Sequence, residues 1–143
     1  MTVIEPTRYT LPRQIVCELL NKYIRAKVEY FGFIAFDKAN HVLKVKELFK
    51  GGISICTFDL KTVYWNMLKY PLSNVVFFHN HPSGNATPSE ADKDMCHALE
   101  QGCKLLGITF LDNIIVSRYG YTSFREEDLL IKEKAHGFSN ICT

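Results

Sequence analysis

The 143-residue chain has no C-x-x-C pair, no lysine-rich run and no long apolar stretch. Its five cysteines, Cys17, Cys56, Cys96, Cys103 and Cys142, are odd in number and show no metal-type spacing. That argues against a disulfide framework and against a four-cysteine zinc site. They read instead as buried small hydrophobes, with a free thiol near the carboxyl end. Charge of one sign is also scarce: 17 Lys and Arg against 15 Asp and Glu leave a formal net charge of +2. A balance so mild gives no electrostatic footprint for nucleic acid. The densest apolar run, "YFGFIAF", is far too short to cross a bilayer. The amino terminus, "MTVIEPTRYTLPRQ", has no apolar core of a secretory signal. A cytoplasmic protein without membrane contact is the expectation. No internal repeat or low-complexity segment is present.

What is there fits one domain spanning 1–143: 47% of residues are hydrophobic, enough for a sizeable core. Apolar positions near 15/16, 19/20 and 23/24 predict a helix over 13–26, with Thr10 as N-cap and Pro12 in the first turn. "VEYFGFIAF" is apolar on both alternating faces and predicts a buried strand. "DKAN" turns, with Asn40 suited to a left-handed conformation, and "HVLKVKELF" returns as an alternating strand. Gly51-Gly52 and a short strand "ISICTF" follow. Asp59 is placed to cap a helix over 60–70, ended by Pro71. "NVVFFHNH" predicts a strand, Ser89 to Leu106 a helix closed by Gly107, and "ITFLDNIIVS" one long or two short strands. "TSF" pairs back, and "REEDLLIKEKA" predicts a last helix. Helices alternate with strands and hairpins, so the class is α/β with a mixed sheet.

The chemistry concentrates in "HNHPSGNATPSEAD", residues 79–92. Strand residues i and i+2 share a face, so His79 and His81 present both imidazoles on one side. Pro82 ends the strand, Ser83-Gly84 turns the chain, and a helix start brings Asp92 back toward the rings. Two imidazoles and a carboxylate are a donor set for zinc, with water as the fourth ligand. A plainer reading competes with it. Ser89-x-x-Asp92 resembles a capping box, and an acidic residue is favoured there by the helix dipole. The residue types alone leave both readings open, and the two are compatible. The literal tripeptide "HNH" is weak support for a nuclease, because HNH nucleases spread those residues over a ββ-metal-α unit.

His-x-His, seven residues, Ser, two residues, Asp is also the spacing of the JAMM (MPN-plus) metalloprotease motif. It is filled here by His79, His81, Ser89 and Asp92. The full string resembles the signature of the RadC-like branch, and the resemblance runs from "VEYFGF" to "TSF". It implies the JAB/MPN fold, a mixed sheet flanked by helices and cytidine-deaminase-like in shape. It further implies a zinc hydrolase of peptide or isopeptide bonds. His79, His81 and Asp92 would hold Zn²⁺, a glutamate from an earlier strand would take the proton of water, and Ser89 would steady the oxyanion. A peptide or ubiquitin-like protein is the implied substrate class. Two features depart from the RadC-like pattern, which commonly reads His-Pro-Arg-Glu before the central helix and Asp-His in the late strand. This chain reads "DLKT" at 59–62 and Asp112-Asn113. Two other readings compete: a DNA-associated protein or metal-dependent nuclease, and a non-catalytic MPN-type scaffold. Mild charge and the lack of room for a helix-hairpin-helix region weigh against the first; the full ligand set weighs against the second.

Two glutamates compete for the general base. Glu47 lies on a strand that Lys44 and Lys46 mark as half exposed. Glu29 leads into buried sheet, where its carboxylate can reach a partly dry site. The family's glutamate likewise precedes an aromatic-rich strand ending in Asp and a turn, which favours Glu29. His97 reads as a packing or surface histidine, and His41 and His136 as solvated. Tyr64 and Trp65 read as core or partner contacts. Asp112 is placed to fix a neighbouring backbone or a ligating histidine.

Overall fold

The apolar runs centred on Phe33 and Phe77 form the middle of a five-stranded sheet. The computed structural model describes residues 5–51 and 59–131. Within them the elements are α1 (Pro12–Leu19), β1 (Tyr30–Phe36), β2 (Val42–Lys50), α2 (Leu60–Met67), β3 (Asn74–Asn80), α3 (Glu90–Leu106), β4 (Thr109–Ser117) and β5 (Gly120–Ser123). The strand order is β2-β1-β3-β4-β5. β3 and β4 run parallel across the α3 connection, and the other neighbours are antiparallel. This is the expected α/β class with a mixed sheet flanked by helices.

β1 and β3 are buried at every position after their first residue, because helices cover both faces of the sheet. Parity divides the side chains. Phe31, Phe33 and Phe77 meet α2 and α3 through Val63, Met67, Met95 and Leu99. Ile34, Phe36, Val76 and Phe78 meet α1 through Ile15, Val16 and Leu20. Burying each such phenylalanine contributes about 1.5–3 kcal/mol. The parity continues past the core: position 79 faces α3 and position 80 faces α1.

Several predicted boundaries move. α1 starts at Leu11 as N-cap rather than Thr10, with Pro12 as its first helical residue. Pro12 has no N–H to leave unpaired, and its fixed φ suits the first helical position. The helix ends at Leu19, well short of residue 26, and a 3₁₀ turn takes over at Asn21–Tyr23. That tighter turn lets Leu20 and Tyr23, both buried, enter the core beneath the sheet. Asp59 caps α2 as expected, accepting from the Lys61 amide at 3.0 Å and the Thr62 hydroxyl at 2.7 Å. The departure "DLKT" therefore has a local role, which is to start this helix. Asn40 takes φ 63° and Gly107 φ 72°, each left-handed as predicted.

The last predicted helix does not form over 125–131. The chain turns through 124–128 instead, and Asp128 adopts φ 60°. Arg125 N–H donates to Asp112 and Glu126 N–H to the Ser123 hydroxyl, while Asp128 N–H bonds back to the Arg125 carbonyl and Leu129 N–H to the Phe124 carbonyl, closing turns instead of a helical ladder. Residues 132–135 of that segment, the strand "ISICTF", Gly52, Cys56, His136 and Cys142 lie outside the described residues. Cys96 and Cys103 are buried free thiols, as expected, whereas Cys17 is exposed. Trp65 is 71% exposed and not part of the core, while Tyr64 packs inward and donates to the Leu99 carbonyl at 2.9 Å.

Candidate metal centre

The site forms where β3 ends. Pro82 has no amide to continue the ladder, so the strand stops at Asn80. His81 N–H still donates to the Val116 carbonyl at 2.9 Å, which keeps His81 in register with its neighbour strand. The chain then turns, with Gly84 N–H on the His81 carbonyl at 3.1 Å. Gly84 has φ +91°, and a Cβ there would lie 2.9 Å from the Tyr119 ring. Only glycine fits that turn without strain.

Ser89 and Asp92 make a reciprocal capping box at the start of α3. Ser89 Oγ accepts from the Asp92 amide at 3.0 Å, and Asp92 Oδ2 accepts from the Ser89 amide at 2.8 Å. The same carboxylate faces the histidines. Asp92 Oδ1 lies 3.2 Å from His79 Nε2, and Oδ2 lies 3.2 Å from His81 Nε2. The two Nε2 atoms are 3.2 Å apart. Capping and convergence are thus properties of one side chain, and the box aims the carboxylate.

Glu29 completes the cluster. Its carboxylate and the two imidazoles offer ligand atoms that all lie within 4.8 Å of one another. It arrives from the residue before β1. The β1–β3 register pairs Phe31 with His79, so a residue two positions earlier lies on the histidine face. Glu47 goes elsewhere: it accepts from the Tyr23 hydroxyl at 2.9 Å. His97 also lies away from the cluster, with Nε2 3.4 Å from the Leu129 carbonyl. His41, expected to be solvated, is instead paired, its Nδ1 2.9 Å from Asp37. Asp112 accepts from the amides of Asn113 at 2.8 Å and Arg125 at 2.9 Å and from the Ser123 hydroxyl, so it fixes backbone.

The donor chemistry fits a metal ion. His81 Nδ1 is 2.8 Å from the Asn85 carbonyl, which can only accept. Nδ1 therefore carries a proton, and neutral His81 turns an Nε2 lone pair inward. That lone pair meets carboxylate oxygens and a second imidazole nitrogen. Such a cluster repels itself unless protons or a cation occupy its centre. Two imidazoles and carboxylates suit a borderline divalent ion. The electrostatics agree. The Asp92 hydrogen bond raises the His81 pKa against the opposing pull of burial, helped by the Asn85 carbonyl and the Glu29 charge. Burial alone would raise the Asp92 pKa, but where a proton stands in the ion's place hydrogen bonds from His79 and His81 hold it well below the usual carboxylate range. His79 Nδ1 is buried with no hydrogen-bond partner among the described residues, as is Asn113 Oδ1.

Asn80, to which the residue pattern assigned no role, points to the opposite face of β3 from the histidines. It is 1% exposed and binds the backbone on both sides of Glu29. A polar residue between the two histidines, at the end of an otherwise apolar run, was the available signal. Asn85, which orients His81 through its carbonyl, carried none, because any residue supplies that group.

A mixed sheet that delivers His-x-His from a strand end and an aspartate from the following helix defines a JAB-type domain. The chain belongs to the RadC-like JAB domain family, whose model matches residues 10–129. Its fold is accordingly the JAB/MPN fold. A UPF0758 protein of Actinobacillus pleuropneumoniae is 38% identical over 99 residues, covering 69% of this chain and 45% of the relative. A UPF0758 protein of Acinetobacter baylyi is 34% identical over 122 residues, covering 85% and 45%. One of Haemophilus ducreyi is 30% identical over 131 residues, covering 84% and 59%. The chain spans about half the length of the curated relatives it matches. Membership supports a domain of metal-dependent hydrolase type. Among the described residues no helix is long and apolar enough to cross a membrane.

Proposed function

We propose that this domain is a zinc-dependent hydrolase of a peptide or isopeptide bond. His79, His81 and Asp92 hold the metal, Glu29 is the general base, and Ser89 steadies the oxyanion. The observation that carries this reading is the convergence of Glu29 with the two histidine rings within 4.8 Å, beside Asp92. When bound, zinc polarises a carbonyl oxygen and lowers the pKa of water to about 7. His81 presents Nε2 because the Asn85 carbonyl holds its other nitrogen. Asp92 keeps its charge and its aim because the helix cap grips it. Glu29, half-buried beside the rings, takes a proton from attacking water and returns it to the leaving amine. Ser89 Oγ accepts from the Asp92 amide, which leaves its own proton free to donate toward developing charge. A peptide or a ubiquitin-like protein tail is the substrate class.

The test pairs elemental analysis of purified protein with hydrolysis of isopeptide-linked and peptide fluorogenic substrates. One zinc per chain, with hydrolysis lost in Glu29→Gln, supports the reading. Stoichiometric zinc with no hydrolysis of either class would favour a metal-bearing scaffold.

A further inference from the structure

We infer that Asn80, the residue between the two histidines, is a positioning residue that holds Glu29 at the metal site through the backbone. The inference rests on the metal-site reading above.

Glu29 lies just outside β1, where regular pairing no longer holds the chain. The β1–β3 ladder has its last pair at Phe31 and His79. Beyond it the β3 backbone turns away, with His81 N–H committed to Val116 and Pro82 next. The two groups of the Glu29 segment that would face β3 are the Val28 carbonyl and the Tyr30 amide. Both are taken by one side chain. Tyr30 N–H donates to Asn80 Oδ1 at 2.7 Å, and Asn80 Nδ2 donates to the Val28 carbonyl at 2.9 Å.

A carboxamide carries the same acceptor and donor as a peptide group, so Asn80 continues the ladder with its side chain where the backbone cannot. The opposite edge of the segment is held too, since Gly51 N–H donates to the Glu29 carbonyl at 2.8 Å. Glu29 is therefore clamped on both sides. Strand parity does the rest: Asn80 points to the α1 face, which sends the Glu29 side chain to the other face with His79 and His81. One tripeptide thus supplies two rings on one face and a backbone clamp on the other. Serine, alanine or valine at this position cannot bridge both backbone groups, and aspartate has no donor for the Val28 carbonyl.

The prediction is read in zinc affinity, which needs no substrate. Zinc dissociation constants are measured by competition with a chromophoric chelator for the full chain. Four proteins are compared: the unaltered chain, Asn80→Ala, Glu29→Gln and the double variant. Released from its clamp, the Glu29 carboxylate spends less time near the ion, so Asn80→Ala weakens zinc binding by about tenfold, as for other groups that orient a metal site from outside it. In the Glu29→Gln background the same substitution changes affinity little, because the charge it positions is gone. Equal weakening in both backgrounds, or none in either, would overturn the inference. An unaltered chain that binds no stoichiometric zinc would overturn the metal-site reading instead. If Asn80→Ala does not fold, Asn80→Ser leaves room for a water beside the two backbone groups, and the same comparison decides.

Discussion

His81 Nδ1 sits 2.8 Å from the carbonyl of Asn85, four residues further along the same loop. That contact determines which nitrogen His81 shows to Asp92 and makes the loop, not only the strand, part of the site. His81→Ala removes the inward nitrogen. Elemental analysis after mild dialysis is expected to find near-background zinc in that variant, against one ion per unaltered chain. Full retention would remove His81 from the ligand set. The unaltered protein is also expected to melt at lower temperature once a chelator has stripped it, because a bound ion stabilises the fold by linkage.

Asp92 has two duties that substitution separates. Asp92→Asn keeps an oxygen for the Ser89 amide but loses the charge facing the histidines. It is expected to lose zinc while its metal-free form keeps the helix cap. Asp92→Ala loses its half of the capping box as well and is expected to cost the metal-free fold about 1 kcal/mol more. Denaturant titrations of the stripped proteins compare the two. Equal stability of the variants would mean that the bond from the Ser89 amide to residue 92 adds nothing.

Ser89→Ala breaks the other half of the box. About 1 kcal/mol of stability is expected to go with the lost cap. Turnover on a verified substrate should fall by about 10²-fold if Ser89 also donates to the oxyanion. An unchanged turnover number leaves Ser89 as a cap alone.

The two glutamates part clearly. Glu29→Gln is expected to keep the fold and stoichiometric zinc but to lose nearly all hydrolysis. Glu47→Gln should be close to neutral, since a glutamine oxygen can still accept from the Tyr23 hydroxyl. The reverse pattern in a hydrolysis assay would move the general base to the other side of the sheet.

Asp112 makes a pH prediction away from the metal site. Burial raises its pKa, in spite of hydrogen bonds from Ser123 and from the Arg125 and Asn113 amides. The fold therefore favours the protonated acid. Its contribution is fully present below the unfolded value of about 3.9 and is lost as pH rises through the higher folded value. Asp112→Asn keeps an acceptor for both amides and cannot ionise. Its stability relative to the unaltered protein should thus rise between acid and neutral pH. A difference that is flat with pH in denaturant titrations would show that Asp112 does not titrate abnormally.

Much of the site follows from residues close in the chain. A period of two puts His79 and His81 on one face whatever the rest of the protein does. Pro82 and Gly84 turn the chain, and the Ser89–Asp92 box starts a helix whose first turn carries the carboxylate. These are short-range consequences of strand geometry, proline chemistry and helix capping, so a single sequence reveals them. The left-handed turns at Asn40 and Gly107 were legible for the same reason. Tertiary structure decided the rest. Glu29 stands beside the histidines only because β1 pairs antiparallel with β3 in the register of Phe31 with His79. Asn80 becomes a clamp only because that pairing ends one residue before it, across 50 residues of chain from Tyr30. The segment after Phe124 is predicted as a helix, yet Asp112 on β4 holds its start at the Arg125 amide and the chain closes turns instead, with Leu129 N–H on the Phe124 carbonyl. Local pattern sets which conformations a segment prefers, but long-range hydrogen bonds and burial choose among them once the sheet has formed.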